Sequence, residues 1–155
     1  MSFKQIGGID YADNLIDYAK KIFTNFQEFF YVQEAINLKE TPLFDVVCLF
    51  SVMHYFESLE YAYEVAKKMF KKAKKRVLFL DVLDAETKEE YIAYKKQIYG
   101  NVYESVYGDL KHLYYPKDFF KELSKEFGCT CRIKKQRIKN YDNSNFRFNV
   151  IMIKE

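Results

Sequence analysis

The sequence predicts an α/β domain whose mostly parallel sheet ends in an antiparallel hairpin, and three observations carry that reading. Residues 44–51 (FDVVCLFS) and 76–82 (RVLFLDV) are nearly unbroken apolar runs, the pattern of strands covered on both faces. Between them, Leu59, Ala62, Val65, Ala66, Met69 and Phe70 recur at helical spacing over 58–72. Beyond them, 130–138 and 146–153 alternate around the turn-forming stretch Tyr141-Asp142-Asn143-Ser144-Asn145. Strand, helix, strand and a closing hairpin make one layered domain.

The elements follow in order. Gly8-Ile9-Asp10 reads as a short strand ending in an acid, and Asp13 is placed to cap a helix over 14–23 with Leu15, Ile16, Ala19, Ile22 and Phe23 on one stripe. Residues 29–34 form a second strand. The 44–51 run should be central and parallel, and 76–82 should pair with it after the helix. A charged helix over 86–99 leads into an aromatic-rich stretch through Tyr115. Pro116 then opens the last helix near its first turn, and Gly128 closes it in a left-handed cap.

Length and composition bound the function. A chain of 155 residues is one domain (1–155), and with 49% hydrophobic and 19% aromatic residues, two prolines and five glycines it is not disordered. A net charge of +3 is too small to call for nucleic acid or a membrane surface. The Lys-rich run over 67–76 reads as the solvated face and basic end of a helix. The cysteines number three. Cys129 and Cys131 share one face of a strand and are poorly placed to bridge each other, so the expectation is reduced, mostly buried thiols in a cytoplasmic protein. The longest apolar stretch, 46–53, is far below the roughly 18 residues of a membrane span. Heavy use of Lys, Ile, Asn, Phe and Tyr suggests an AT-rich bacterial source. Asp81 and Asp84 have no clustered His or acids beside them, so no metal is expected.

Three stretches carry a family resemblance: Gly8-Ile9-Asp10-Tyr11 with Asn14-Leu15-Ile16-Asp17-Tyr18-Ala19-Lys20-Lys21; Phe44-Asp45-Val46-Val47 running into Ser51-Val52-Met53-His54-Tyr55-Phe56; and Tyr115-Pro116-Lys117-Asp118-Phe119-Phe120. In order and spacing they resemble the class I S-adenosylmethionine-dependent methyltransferases of the small-molecule type, over nearly the whole chain. The resemblance implies a Rossmann-like fold, S-adenosylmethionine as cofactor and a small-molecule oxygen or nitrogen acceptor. It places Asp10 on the cofactor ribose and Tyr11 against the adenine face. Glu34 and Ala35 fall at the adenine edge, although the family more often has Asp where Glu34 stands. Phe50 and Ser51 would line the methionine end. His54, the family's common histidine, and His112 are the candidate catalytic bases for a hydroxyl acceptor. Residues 86–115 match an acceptor-side insertion, with Tyr103, Tyr107, Tyr114 and Tyr115 as substrate-binding candidates.

Each residue also has a plainer reading. Asp10 has the alternative of a helix-entry or turn carboxylate, Tyr11 of a core aromatic, His54 of a helix cap, and the tyrosines, Tyr99 among them, of a packing surface. The family's glycine-rich turn, about twenty residues ahead of the strand-end acid, has no room before Asp10. The expectation is therefore an N-terminally incomplete domain that associates with itself or with a complementing N-terminal segment. The rival to an active enzyme is the same fold without catalysis, as a remnant, pseudoenzyme or split-enzyme subunit. A nucleic-acid module would betray itself by salt-steep binding, and a dehydrogenase is disfavoured because Gly-x-Gly-x-x-Gly is absent.

Overall fold

The structure, a computed structural model, describes residues 4–155. Its strands fall into two separate sheets. β1 (Gly8–Asp10) and β2 (Phe30–Val32) form a parallel pair, with α1 (Asp13–Ile22) as their crossover. The second sheet has four strands in the order β3 (Phe44–Phe50), β4 (Ala73–Leu83), β6 (Arg147–Lys154), β5 (Cys129–Lys135). β3 and β4 are parallel and joined by α2 (Leu59–Lys72), whereas β4–β6 and β6–β5 are antiparallel. The predicted hairpin is therefore the far edge of the larger sheet. Two helices, α3 (Lys88–Tyr99) and the short α4 (Tyr103–Tyr107), precede α5 (Lys117–Glu126), which leads into β5.

The core lies on one face of the four-stranded sheet. Ala62, Val65, Ala66, Met69 and Phe70 of α2 and Phe120 and Leu123 of α5 pack with Val77 and Phe79 of β4 and Phe148, Val150 and Met152 of β6. Ser58 caps α2 by accepting the Tyr61 N–H at 3.1 Å. At the end of α5, Gly128 takes φ +58 and its N–H reaches the Lys125 carbonyl at 3.3 Å, the left-handed closure that glycine permits. No helix of the described residues is long and apolar enough to cross a membrane.

Several expectations are corrected. β3 is parallel but not central: among the described residues it pairs with β4 alone and forms the sheet edge. Only Leu49 of β3 is fully buried, while Val46 is 45% and Phe50 59% exposed. An apolar run is buried only if something covers it, and nothing in the described residues covers that face. Cys48 is exposed for the same reason, and Cys129 and Cys131 are half-buried, so none of the three thiols is buried. Asp13 does not cap α1 but is its first residue, preceded by Ala12 with no side-chain cap. Pro116, by contrast, does open α5, from its N-cap position.

Candidate active site

All six residues that the resemblance assigns to a cofactor come together. Asp10, Tyr11, Glu34, Ala35, Phe50 and Ser51 line one cavity of about 810 Å³ between the two sheets, within the usual ~300–1,000 Å³ of ligand sites. The topology explains the convergence, since β1, β2 and β3 all present their C-terminal ends there, the position where open α/β sheets take ligands. Gly7 lets β1 approach β2: a Cβ there would sit 2.7 Å from the Phe29 carbonyl oxygen.

The individual settings differ. Asp10 ends β1, and one carboxylate oxygen accepts the Ala12 N–H at 2.9 Å, so the turn reading holds for that oxygen. Tyr11 is 81% exposed and is not a core aromatic. Glu34 precedes a tight 3-10 turn, Ala35–Asn37, and its side chain makes no cap to it. Ser51 follows β3 at φ +54, a left-handed conformation unusual for serine, while its N–H donates to the Leu80 carbonyl at 3.1 Å. Backbone strain of that kind gathers at functional sites.

His54 and His112 meet edge to face, with ring centroids 5.2 Å apart. Tyr55 tilts over His54 at 4.1 Å and meets His112 at 5.5 Å. His54 is 3% exposed, and its Nδ1 is buried without a hydrogen-bond partner. Burial, reinforced by the Arg147 and His112 charges, pulls its pKa down to about 4, with Asp81 opposing. His112 is shifted down as well, by burial, Arg147 and Lys95, and its Nε2 is likewise unpartnered. Both imidazoles are neutral at pH 7. His54 is not a helix cap: its turn precedes Ser58, which caps α2.

Tyr55 lines the large cavity, and His112 lines a second one of about 300 Å³. The three rings thus stand between the two spaces. Of the tyrosines predicted to contact substrate, Tyr103, Tyr107 and Tyr114 line the second cavity. Tyr107 donates to the Tyr99 hydroxyl at 3.0 Å, and burial pushes the Tyr114 phenol up to about 12. Tyr115 is the exception. It is 0% exposed, its hydroxyl donates to the Met53 carbonyl at 2.8 Å, and it packs on Phe119 and Phe120. It belongs to the core and not to the cavity.

Other acids and bases have local duties. Asp81, at φ +63 in a bulge of β4, is buried against Arg147 of β6 and accepts from Gln136 at 2.9 Å. Asp84 accepts the Glu86 N–H at 3.0 Å and pairs with Lys117 at 3.1 Å. Asp45 pairs with Lys75 at 2.8 Å, which holds its pKa below the usual carboxylate range. Lys71 bonds to Glu40, and Lys72 to the Lys39 and Pro42 carbonyls, so both reach the segment before β3. The sequence reading missed Lys95, although Tyr91, Lys95 and Tyr99 stand at successive i, i+4 positions of α3.

No family model and no curated protein matches the sequence. Solved structures do match its shape. A Bordetella parapertussis protein superposes with TM-score 0.70 and 14% identity, over 97% of this chain and 53% of that one. Magnesium protoporphyrin IX methyltransferase from Synechocystis PCC 6803, with bound S-adenosylmethionine, gives TM-score 0.63 and 11% identity over 97% and 60%. N-methyltransferase NodS from Bradyrhizobium japonicum, in complex with S-adenosylhomocysteine, gives 0.65 and 13% over 97% and 66%. The fold is that of the class I methyltransferases. This methyltransferase-fold chain spans between about half and two thirds of the length of those three proteins.

Proposed function

We propose that this methyltransferase-fold chain acts as an S-adenosylmethionine-dependent methyltransferase on a small-molecule oxygen or nitrogen acceptor, with the cofactor in the larger cavity and the acceptor in the smaller. The observation that carries this reading is the meeting of Asp10, Tyr11, Glu34, Ala35, Phe50 and Ser51 in one cavity, beside the ring cluster that leads to a second. The donor set suits the cofactor. Asp10 keeps one carboxylate oxygen for a ribose hydroxyl, Tyr11 offers an exposed ring to adenine, and Phe50 and Ser51 close the far end. When bound, S-adenosylmethionine supplies an electrophilic methyl group. The chain's own contribution is to align the acceptor and exclude water. His112, neutral and part of the second cavity's lining, is the better-placed base for a hydroxyl acceptor, while His54 sits behind it and fixes its ring. Residues 86–115 would supply the acceptor wall.

A second reading, the same fold without catalysis as one part of a split enzyme, is favoured by the free edges of β1 and β3, each of which pairs on one side only among the described residues. Titration calorimetry with S-adenosylhomocysteine separates the two. Binding that weakens roughly 10- to 150-fold in Asp10→Ala, the scale of a charge-assisted hydrogen bond, supports the enzyme. Absence of binding at millimolar ligand supports the inactive reading.

A further inference from the structure

The smaller cavity has a charge that the acceptor reading does not use. Its wall includes three lysines, Lys88, Lys95 and Lys111, and no carboxylate. None of the three takes part in a salt bridge of the described residues.

Lys95 is the unusual member. It is only 9% exposed, and its ammonium lies 5.3, 5.5 and 5.4 Å from the ring centres of Tyr91, Tyr99 and Tyr107. Tyrosine faces hold a cation by their quadrupoles and leave its charge uncancelled. Lysine is rarely this buried without a partner, because desolvation of a lone ammonium is unfavourable. Lys88 repeats the arrangement at the rim, 5.5 Å from the Tyr114 ring centre. Three lysines with no carboxylate among the described lining residues favour an anion in the space between them, and low-dielectric aromatic walls strengthen that attraction. His112, on the same wall, adds an unpartnered buried Nε2.

We infer that this cavity takes the carboxylate or phosphate group of an anionic acceptor, with Lys95 as its principal counter-ion and Lys88 and Lys111 at the entrance. The inference rests on the proposed methyltransferase reading for the word acceptor, but the site itself stands on the lysines and tyrosines. On the same lining stands His112, whose ring meets His54 and also Tyr55, a residue of the larger cavity. A cationic acceptor such as a free amine would face three like charges and is selected against. Carboxylate and phosphate share this chemistry, and the number of ammonium groups favours the more highly charged phosphate monoester.

The test uses the full chain, without cofactor, at pH 7.5. Phenyl phosphate, 4-hydroxybenzoate, phenol and tyramine are titrated in turn and followed by amide chemical shifts of residues 88–114. The expected result is saturable binding of both anions, with phenol and tyramine at least tenfold weaker. Phenyl phosphate binding tighter than 4-hydroxybenzoate assigns a phosphate acceptor, and the reverse order assigns a carboxylate. Lys95→Met should weaken anion binding at least tenfold, and Lys95→Arg should restore most of it. Should Lys95→Met fail to fold, the double variant Lys88→Ala/Lys111→Ala, altered at exposed positions, should still weaken phenyl phosphate severalfold. Tyramine binding as tightly as the anions would overturn the inference, and so would anion affinity unchanged in both Lys95→Met and the double variant. Because no cofactor is present, this result is independent of the Asp10→Ala titration. Either can fail while the other stands.

Discussion

The β1–α1–β2 unit and the β3–α2–β4 unit are built on the same strand–helix–strand plan, yet only the second is closed. Both helices are amphipathic in sequence, with apolar residues at helical spacing. α2 buries five residues, whereas α1 buries Ile16 alone and leaves Leu15 and Ile22 more than half exposed. β4 is flanked on both sides, by β3 and by β6, whereas among the described residues β1 pairs with β2 alone. An amphipathic pattern specifies which face wants burial. It does not supply the surface that buries it, and most helix stability in proteins comes from that packing.

The largest effect expected from this contrast is in the core. Phe120 is 0% exposed between Phe79 and Phe148, so Phe120→Ala should cost about 3–5 kcal/mol in urea melts. Ile22→Ala, at a position 54% exposed, should stay within about 0.5 kcal/mol. Equal losses at the two positions would mean that α1 is packed as tightly as α2, and the comparison would fail.

The second prediction uses pH, because His54 lies in the closed unit and its ring meets His112 edge to face. The folded pKa of His54 is about 4 against an ordinary 6.5. Between those values the unfolded chain binds a proton that the folded chain does not, so stability falls as pH drops from 6.5 towards 4 and is level above 6.5. The full effect approaches ~3 kcal/mol, and His112 acts in the same direction. Melts from pH 4.5 to 7.5 should show this slope, and His54→Gln should flatten it. An unchanged slope in that variant would remove His54 as its source.

What the sequence made legible follows the same division. Helix α2, strand β4, the hairpin and the order of elements could be read because each is specified by local pattern and is also packed as that pattern requires. β3 misled: Val46, Cys48 and Phe50 look like core by type, but among the described residues β3 pairs with β4 alone, and they stay exposed. The six cavity residues were named by the family resemblance, and they meet because β1, β2 and β3 present their C-terminal ends to one cavity. Lys95 was not, because a lone lysine in a charged helix looks solvated until Tyr107, eight residues past Tyr99, folds back over it. Tyr114 and Tyr115 are neighbours with opposite fates, one facing the cavity and one the core. A one-residue change of side is set by the bridge of Tyr115 to Asp84, which no spacing rule announces. The Asp81–Arg147 pair was hidden similarly, since a β-bulge turns the Asp81 side chain towards β6.

The smallest expected effect is also the sharpest test of the contrast, because it compares the two helix starts directly. Ser58 caps α2 through the Tyr61 N–H, and Ser58→Ala should lower global stability by about 1 kcal/mol. Ala12, at the start of α1, has extended backbone with φ −83 and ψ 111 and no side-chain cap, so Ala12→Ser introduces a hydroxyl where a cap is geometrically allowed. If α1 opens independently of the four-stranded sheet, the new cap strengthens only the local unit. Hydrogen exchange of the α1 amides should then slow about threefold or more, while the global melt moves by less than about 0.3 kcal/mol. A global gain as large as the Ser58→Ala loss would show that α1 folds and unfolds with the rest, and that the open face of the first unit costs it none of its cooperativity.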